Sequence, residues 1–376
     1  MQDILVIGGG KIGSVVAELL ADTPEAGGYR VTVADRSAAL LAGIERAARQ
    51  ASHHPPRLST LLLDVADPAQ LADALRGRFA VLSAAPYHLT LRVAQAAREA
   101  GVHYLDLTED VASTRAIRSL AEGARTAFIP QCGLAPGFIA IVAADLARQF
   151  DSLDSVRMRV GALPAYPSNA LNYNLTWSTE GVINEYCEPC EAIVDGHLCA
   201  VPALEEREEF SLDGVLYEAF NTSGGLGTLC ETLAGKVRTL NYRTIRYPGH
   251  AAIMKALLHD LRLKDRRDVL KDILEQALPA TMQDVVIVFV TVAGQRDGRL
   301  MQETYVRKVY SQVLAGKVRS AIQITTASSL CAMLDLLASG ALPQQGFVKQ
   351  EDVPLAAFLG NRFGRVYGAE AVAHAA

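Results

Sequence analysis

The 376-residue sequence is poor in the features that mark several large protein classes. Its longest apolar run, VVIVFVTVAG at 285–294, is half of the ~20 residues that a membrane-spanning helix needs. It has no basic excess: 36 Lys and Arg stand against 41 Asp and Glu, a formal net charge of -5, so the cationic face of a nucleic-acid binder is missing. EEREE at 205–209 is too short to be more than a solvated face. Six cysteines scattered over this length do not make a disulfide framework and fit the reduced thiols of a cytoplasm. The N-terminus enters a strand at once with DILVIGGG, without a charged segment before an apolar one, so no secretory signal is expected. Cys187 and Cys190 form a single C-x-x-C without a second pair or a nearby ligand histidine, which disfavours zinc and leaves a redox pair or two plain thiols. HHPP at 53–56 is a loop without spaced partners. No metal site, internal repeat, low-complexity tract, H-E-x-x-H or Ser-His-Asp pattern is apparent.

What is present is apolar periodicity, since 50% of the residues are hydrophobic. Strands are predicted at 3–7, 30–34, 58–63, 79–83, 103–107 and 127–131, with helical patterns such as 88–100 between them. That alternation implies βαβ units and a doubly wound, Rossmann-type parallel sheet. A helix follows CGLAPGF and runs to about Gln149. The rhythm then changes. SVRMRVGALP and LNYNLTWS read as strands, residues 190–204 as a hairpin turning on Asp195-Gly196, and 283–310 as two long strands joined by a glycine-containing turn. The fold class is therefore α/β with a second, α+β domain built on a mainly antiparallel sheet. Boundaries fall at 1–131 and 132–325. A helix at 325–339 and a tail close the chain, and its last residues, AVAHAA, read as frayed.

VIGGGKIGS places Gly8, Gly10 and Gly13 in G-x-G-x-x-G spacing between a strand and a helix. The glycines permit a tight turn, close approach of a pyrophosphate, and helix–strand contact. The helix start, with Lys11 and Ile12, offers N–H groups to phosphates. Asp35 ends the second strand, where a carboxylate accepts bonds from ribose hydroxyls and repels a 2′-phosphate. NAD is thus expected over NADP, although the adjacent Arg36 could take such a phosphate. Asp64 and Val65, ending the third strand, cap the adenine edge or form a plain turn. Ser83, Ala84 and Pro86 end the fourth strand at the switch of strand order and should line the pyrophosphate and nicotinamide side, with Tyr87 pointing into the same cleft.

In GGGKIG, YLDLTED (104–110), CGLAPGF (132–138), LNYNLTWSTEGVINEY (171–186), EAFNTSGGLGTL (218–229) and IRYPGH (245–250), the chain resembles the saccharopine dehydrogenase-like family. Within it the likeness is greatest to the lysine 6-dehydrogenases. GFVKQEDVPLAAFL (346–359) has the same look. The resemblance implies oxidation of a C–N bond of an amino acid by a nicotinamide cofactor. For lysine, hydride leaves the carbon bearing the side-chain amine, water hydrolyses the imine, ammonia departs, and the aldehyde cyclises to piperideine-6-carboxylate. It also implies that residues 326–376 return to the cofactor domain and that the substrate domain pairs subunits in a homodimer or higher homo-oligomer.

Such chemistry needs a neutral amine, whereas lysine's ammonium, with a pKa near ~10.4, is mostly protonated at neutral pH. A base or a desolvated pocket must favour the neutral form, and the imine needs an activated water. His250 follows the Pro248-Gly249 turn, and Ile253, Leu257, Leu258 and Leu261 then recur at helical spacing. At a helix N-terminus the dipole keeps an imidazole neutral and able to accept a proton; equally, His250 could only cap the helix or bond to backbone. Asp106 stands at the end of the fifth strand, where open α/β sheets bind ligands. Glu180 opens a helix capped by Ser178 or Thr179 and either meets a substrate ammonium or merely favours the dipole. On a strand at 171–178, Asn172, Asn174 and Thr176 would share one face and Tyr173, Leu175 and Trp177 the other, giving a substrate wall or a wet face over a core tryptophan. The glycine-rich loop 221–229, with Thr228, closes over substrate or is an ordinary connection. Arg243 and Arg246 are candidates for a carboxylate clamp, with surface status expected for at least one. Residues 160–185 hold no Lys or Arg, which disfavours the three-carboxylate substrate of a glutamate-forming saccharopine dehydrogenase. A reading of another class is an NAD-binding sensor without turnover.

Overall fold

The computed structural model describes residues 1–23, 27–51, 57–314 and 316–368; the HHPP motif and the terminal AVAHAA lie outside the described residues. Two compact units result. The first comprises Met1–Phe138, Val313–Lys317 and Gln323–Gly368, the second Ile139–Gln312 and Val318–Ile322.

In the first unit, six strands form a parallel sheet in the order β6-β5-β4-β1-β2-β3. They are β1 Gln2–Ile7, β2 Tyr29–Asp35, β3 Leu58–Leu62, β4 Ala80–Ser83, β5 His103–Asp106 and β6 Ala127–Ile129. The runs are almost wholly apolar because helices cover both faces. Leu5, Ile7, Val81, Tyr104 and Phe128 are buried among Leu71, Val93, Ala97 and Ile117 from the intervening helices. Local chemistry sets the helix ends: Asp67 accepts the Ala69 and Gln70 N–H groups, and Asp110 accepts that of Ser113, both N-caps of the preferred type. The chain winds one way from β1 to β3 and the other way from β4 to β6, which opens a crevice beyond the carboxyl ends of β1 and β4.

The second unit holds a mixed sheet. Its strands are β7 Ser152–Pro164, β8 Cys190–Val194, β9 His197–Val201, β10 Glu208–Leu212, β11 Val215–Asn221, β12 Val237–Arg246, β13 Asp284–Arg296 and β14 Arg299–Tyr310. The path is β10-β11-β12-β7-β13-β14, with β8 joining β12 to β9. Every pair is antiparallel except β12 and β7. The β8–β9 hairpin turns on Asp195 and Gly196, both at positive φ, as a type I′ turn requires. The ribbon β15 Gln312–Leu314 and β16 Lys317–Arg319 follows, and β17 Gly346–Phe347 adds in parallel to β6 at the edge of the first sheet. The helix Ala321–Ala338 has the length and hydropathy of a membrane span, but 78% of it is buried inside the protein. All six cysteines carry free thiols.

One expected strand is absent. Residues 171–178 are irregular, and their only ladder-type pairing is an isolated bridge between Leu175 and Ala280. Asn172 adopts a left-handed φ of 49°, its N–H bonds to the Asn169 carbonyl at 2.9 Å, and the Asn169 amide donates to the Tyr173 carbonyl at 2.7 Å. These side-chain and turn bonds replace the ladder that a strand would make, so the alternation of faces inferred for Asn172 to Trp177 does not apply.

Candidate active site

The glycines at the β1 crossover differ in what each accommodates. Gly8 has φ 94°, and a Cβ there would meet the Ala84 carbonyl oxygen at 2.7 Å. A Cβ on Gly13 would lie 1.8 Å from the Gly8 oxygen, whereas one on Gly10 would meet nothing within 4 Å. Gly8 and Gly13 thus serve the turn and the helix–strand contact, and the open position is the one where a dinucleotide pyrophosphate approaches. Lys11 is exposed and Ile12 half-buried, and Ile12 begins the helix Gly13–Ala21.

At the end of β2, Asp35 accepts the Gly9 N–H on Oδ2 and the Ser37 N–H on Oδ1, both at 2.9 Å. Two bonds hold the carboxylate in place and leave lone pairs for ribose hydroxyls. Arg36 is exposed beside it. Ser83, at the end of β4, is buried with no hydrogen-bond partner for Oγ among the described residues. Ala84 is half-buried against Gly8, while Pro86 and Tyr87 stand exposed at the start of the helix Tyr87–Ala100. The donor set and the open glycine fit a nicotinamide dinucleotide. Asp64 is spent on a turn, accepting the Ala66 N–H, and the Val65 side chain belongs to the core.

Asp106 is fully buried. It accepts from Tyr104 Oη at 2.7 Å, from the Thr108 N–H at 3.0 Å and from the Gln131 N–H at 2.9 Å. Burial pushes its carboxyl up to about 6, against these bonds. The carboxylate ties β5 to the segment after β6.

In the second unit, His250 begins the helix His250–Lys255 and is 1% exposed. Nδ1 lies 2.9 Å from the Leu171 carbonyl oxygen and Nε2 lies 3.0 Å from Tyr186 Oη. Burial, and then the Arg246 guanidinium, push its pKa down to about 3. The ring is neutral, as expected, but burial rather than the helix dipole is the main cause. Arg246, on β12, donates from Nε to Tyr186 Oη at 2.9 Å and from Nη1 to the Ile245 carbonyl. Its Nη2 takes no acceptor among the described residues, and its guanidinium lies 5.0 Å from the Tyr173 ring centre. Tyr173 Oη and Thr176 Oγ1 are buried and unpartnered among the described residues. Such hydroxyls are costly unless a ligand or water meets them.

The remaining candidates divide. Trp177 lies over Gly181, where a Cβ would come within 2.4 Å of its ring, and Asn172 is half-buried in the turn before it. The loop 221–229 is pinned: Thr222 bonds Thr244 at 2.7 Å, and Gly225 presses on the Tyr242 ring. Thr228 is buried at the start of the helix Leu229–Leu233. Glu180 is exposed, with Lys271 at 3.6 Å. Arg243 is three residues from Arg246 on one strand and so faces the other side of the sheet, where Glu206 and Glu208 engage it.

Sequence reasoning missed Tyr186, Glu218 and Glu185, the last a buried carboxylate that bears on the charge of Arg246. Tyr186 lies on the buried face of the helix Thr179–Cys187 with Val182 and Ile183, and a core phenol calls for a partner. Glu218 interrupts the inward-facing residues of β11 with a carboxylate that is 1% exposed, a strong signal in any strand.

Residues 133–361 match the family model described as the saccharopine dehydrogenase C-terminal domain, and residues 4–129 match that of the saccharopine dehydrogenase NADP binding domain. Among solved structures, the chain is similar to the glutamate-forming saccharopine dehydrogenase of Saccharomyces cerevisiae. That match has a TM-score of 0.75 at 18% identity, over 93% of this chain and 94% of the other. It is also similar to a homospermidine synthase of Legionella pneumophila, solved in complex with NAD, with a TM-score of 0.66 at 13% identity over 98% and 90%. At these identities the structural likeness is one of fold.

Proposed function

The chain belongs to the saccharopine dehydrogenase family, whose members are NAD(P)-dependent oxidoreductases acting on amino-acid C–N bonds, and from that premise we propose that it oxidises the side-chain amine of L-lysine with NAD. Lysine, NAD and water give the semialdehyde, ammonia, NADH and a proton; the semialdehyde loses water on cyclising to piperideine-6-carboxylate.

The observation that carries this reading is the count of buried cations. Two arginines are buried among the described residues. Arg159 is engaged by Glu208, on the face that Arg243 shares. Arg246 is the only one of the two that sits with Tyr173, Tyr186 and His250, where the buried Glu185 carboxylate also bears on its charge. One cation with an unspent nitrogen suits one α-carboxylate and not the three of saccharopine. The buried hydroxyls of Tyr173 and Thr176 supply further polar contacts for the amino-acid head. Burial of the reacting amine away from water favours its neutral form. A bound nicotinamide supplies the hydride acceptor, and the Asp35 carboxylate favours the cofactor without a 2′-phosphate.

The test incubates pure protein with NAD or NADP and with lysine or saccharopine, and follows reduced cofactor, ammonia and glutamate. NADH and ammonia from lysine are expected. Glutamate released from saccharopine overturns the reading, and NAD binding without reduction by either amino acid points to a sensor.

A further inference from the structure

The hydrogen bonds of the Arg246 cluster have only one consistent direction. The Leu171 carbonyl can only accept, so His250 Nδ1 carries the ring proton. In a neutral ring Nε2 is then a lone pair, and Tyr186 must donate its O–H to it across 3.0 Å. That leaves the Tyr186 oxygen free to accept the Arg246 Nε–H at 2.9 Å. The chain runs from guanidinium to phenol to imidazole to backbone, through three side chains that are each at most 2% exposed. The Tyr173 and Phe220 rings lie beside the imidazole, with centres 5.4 and 6.3 Å away.

We propose that Tyr186 and His250 are positioning residues that aim the Arg246 guanidinium at the substrate carboxylate, and that the imidazole is not the proton acceptor of the reaction. The inference rests on the lysine reading for the identity of that carboxylate. Nδ1 and Nε2 are both spent within the protein, so a proton arriving at Nε2 must displace the Tyr186 bond and with it the support of Arg246. A planar guanidinium fixed at Nε presents its remaining edge in one plane, which a carboxylate needs for paired bonds.

The test compares L-lysine with 1,5-diaminopentane, which carries the same amine but no carboxylate. Tyr186→Phe is expected to raise KM for lysine at least tenfold, leave kcat and NAD affinity nearly unchanged, and lower the preference for lysine over the diamine by the same factor. Arg246→Lys, which keeps the charge and loses the Nε donor, is expected to lower that preference as well. An unchanged preference in both folded variants overturns the proposal, because a purely structural defect slows both substrates alike. His250→Gln keeps one donor and one acceptor, and its kcat should stay within about threefold, whereas loss of a general base costs ~10²–10⁴-fold; a loss of a hundredfold or more also overturns it. Nitrogen-15 shifts of the histidine ring read the hydrogen-bond chain without turnover. A neutral ring protonated at Nδ1 is expected at pH 7, and an imidazolium or an Nε2-protonated ring overturns it. If the wild type leaves lysine untouched, the substrate reading fails, and the ring shifts still decide the relay.

Discussion

Glu218 Oε1 accepts the Ala251 N–H at 2.7 Å, so the short helix that presents His250 begins on a carboxylate from the neighbouring strand β11. Oε2 takes the Gly249 N–H at 3.2 Å. These are N–H groups of the kind a helix start leaves unpaired, and a carboxylate beside them also meets the positive end of the helix dipole. Glu218→Gln keeps one acceptor and sets an amide N–H against the other donor. Unfolding in denaturant should show a loss of ~1–3 kcal/mol. Unchanged stability would remove Glu218 from the account of this helix.

The glycine motif makes two contrasting predictions. Gly13→Ala places a methyl 1.8 Å from the Gly8 oxygen, so it should abolish cofactor binding and lower the melting temperature. Gly10→Ala fills open space; it should leave melting unchanged while weakening NAD binding at least tenfold by titration calorimetry, a factor worth ~1.4 kcal/mol. Equal NAD affinity in Gly10→Ala would mean that the pyrophosphate does not approach there.

Asp106 gives a pH signature. Its folded-state pKa is raised from 3.8 to about 6, so between those values the folded chain keeps a proton that the unfolded chain has lost. Its favourable contribution is complete below pH 3.8 and disappears as the pH rises through about 6. In Asp106→Asn the amide can donate to Tyr104 Oη, whose own proton can turn to the Thr90 carbonyl 3.4 Å away. The variant should match the wild type near pH 4 and exceed it above pH 7 by up to ~3 kcal/mol, at 1.36 kcal/mol per unit. A difference that stays flat from pH 4 to pH 8 would contradict the burial of a charged carboxylate here.

His250 titrates in the opposite sense. Its pKa falls from 6.5 to about 3 on folding, so the unfolded chain binds the proton that the folded chain excludes. The contribution is whole above pH 6.5 and is lost as the pH falls towards 3. Relative to His250→Gln, the wild type should lose stability on acidification below pH 6.5 and hold a constant difference above it. Denaturant titrations at pH 5 and pH 8 make the comparison.

Asp35 should decide between the two nicotinamide cofactors. The wild type is expected to bind NAD at least tenfold more tightly than NADP, a margin of ~1.4 kcal/mol. Asp35→Ser, with Arg36 left in place, should narrow or reverse that ratio by removing the charge that opposes a 2′-phosphate. A wild type preferring NADP would assign the decisive role to Arg36.

The first unit was legible because its strands are continuous apolar runs punctuated by helices, a pattern set by burial on both faces. The β8–β9 hairpin was legible because Asp-Gly supplies the positive φ angles that its turn demands. Residues 171–178 were misread because Tyr173, Leu175 and Trp177 alternate as a strand would, while Asn169 and Asn172 divert the backbone into side-chain and turn bonds. His250 was picked out by its turn, but its neutrality comes from burial and Arg246, which the sequence does not display, and not from the helix start. Tyr186 lies 64 positions away in sequence, and no local pattern couples a phenol to an imidazole over that separation.

The last strand of the first sheet, β17, carries a consequence for synthesis. Until Gly346 and Phe347 leave the ribosome, β6 presents an unpaired edge while more than half of the chain is still being made. Residues 139–312, by contrast, form one uninterrupted stretch that can complete its own sheet first. A nascent chain cut short just before Gly346 therefore exposes a template for pairing with other chains, and it also lacks Phe358 and Tyr367, which pack on Phe138.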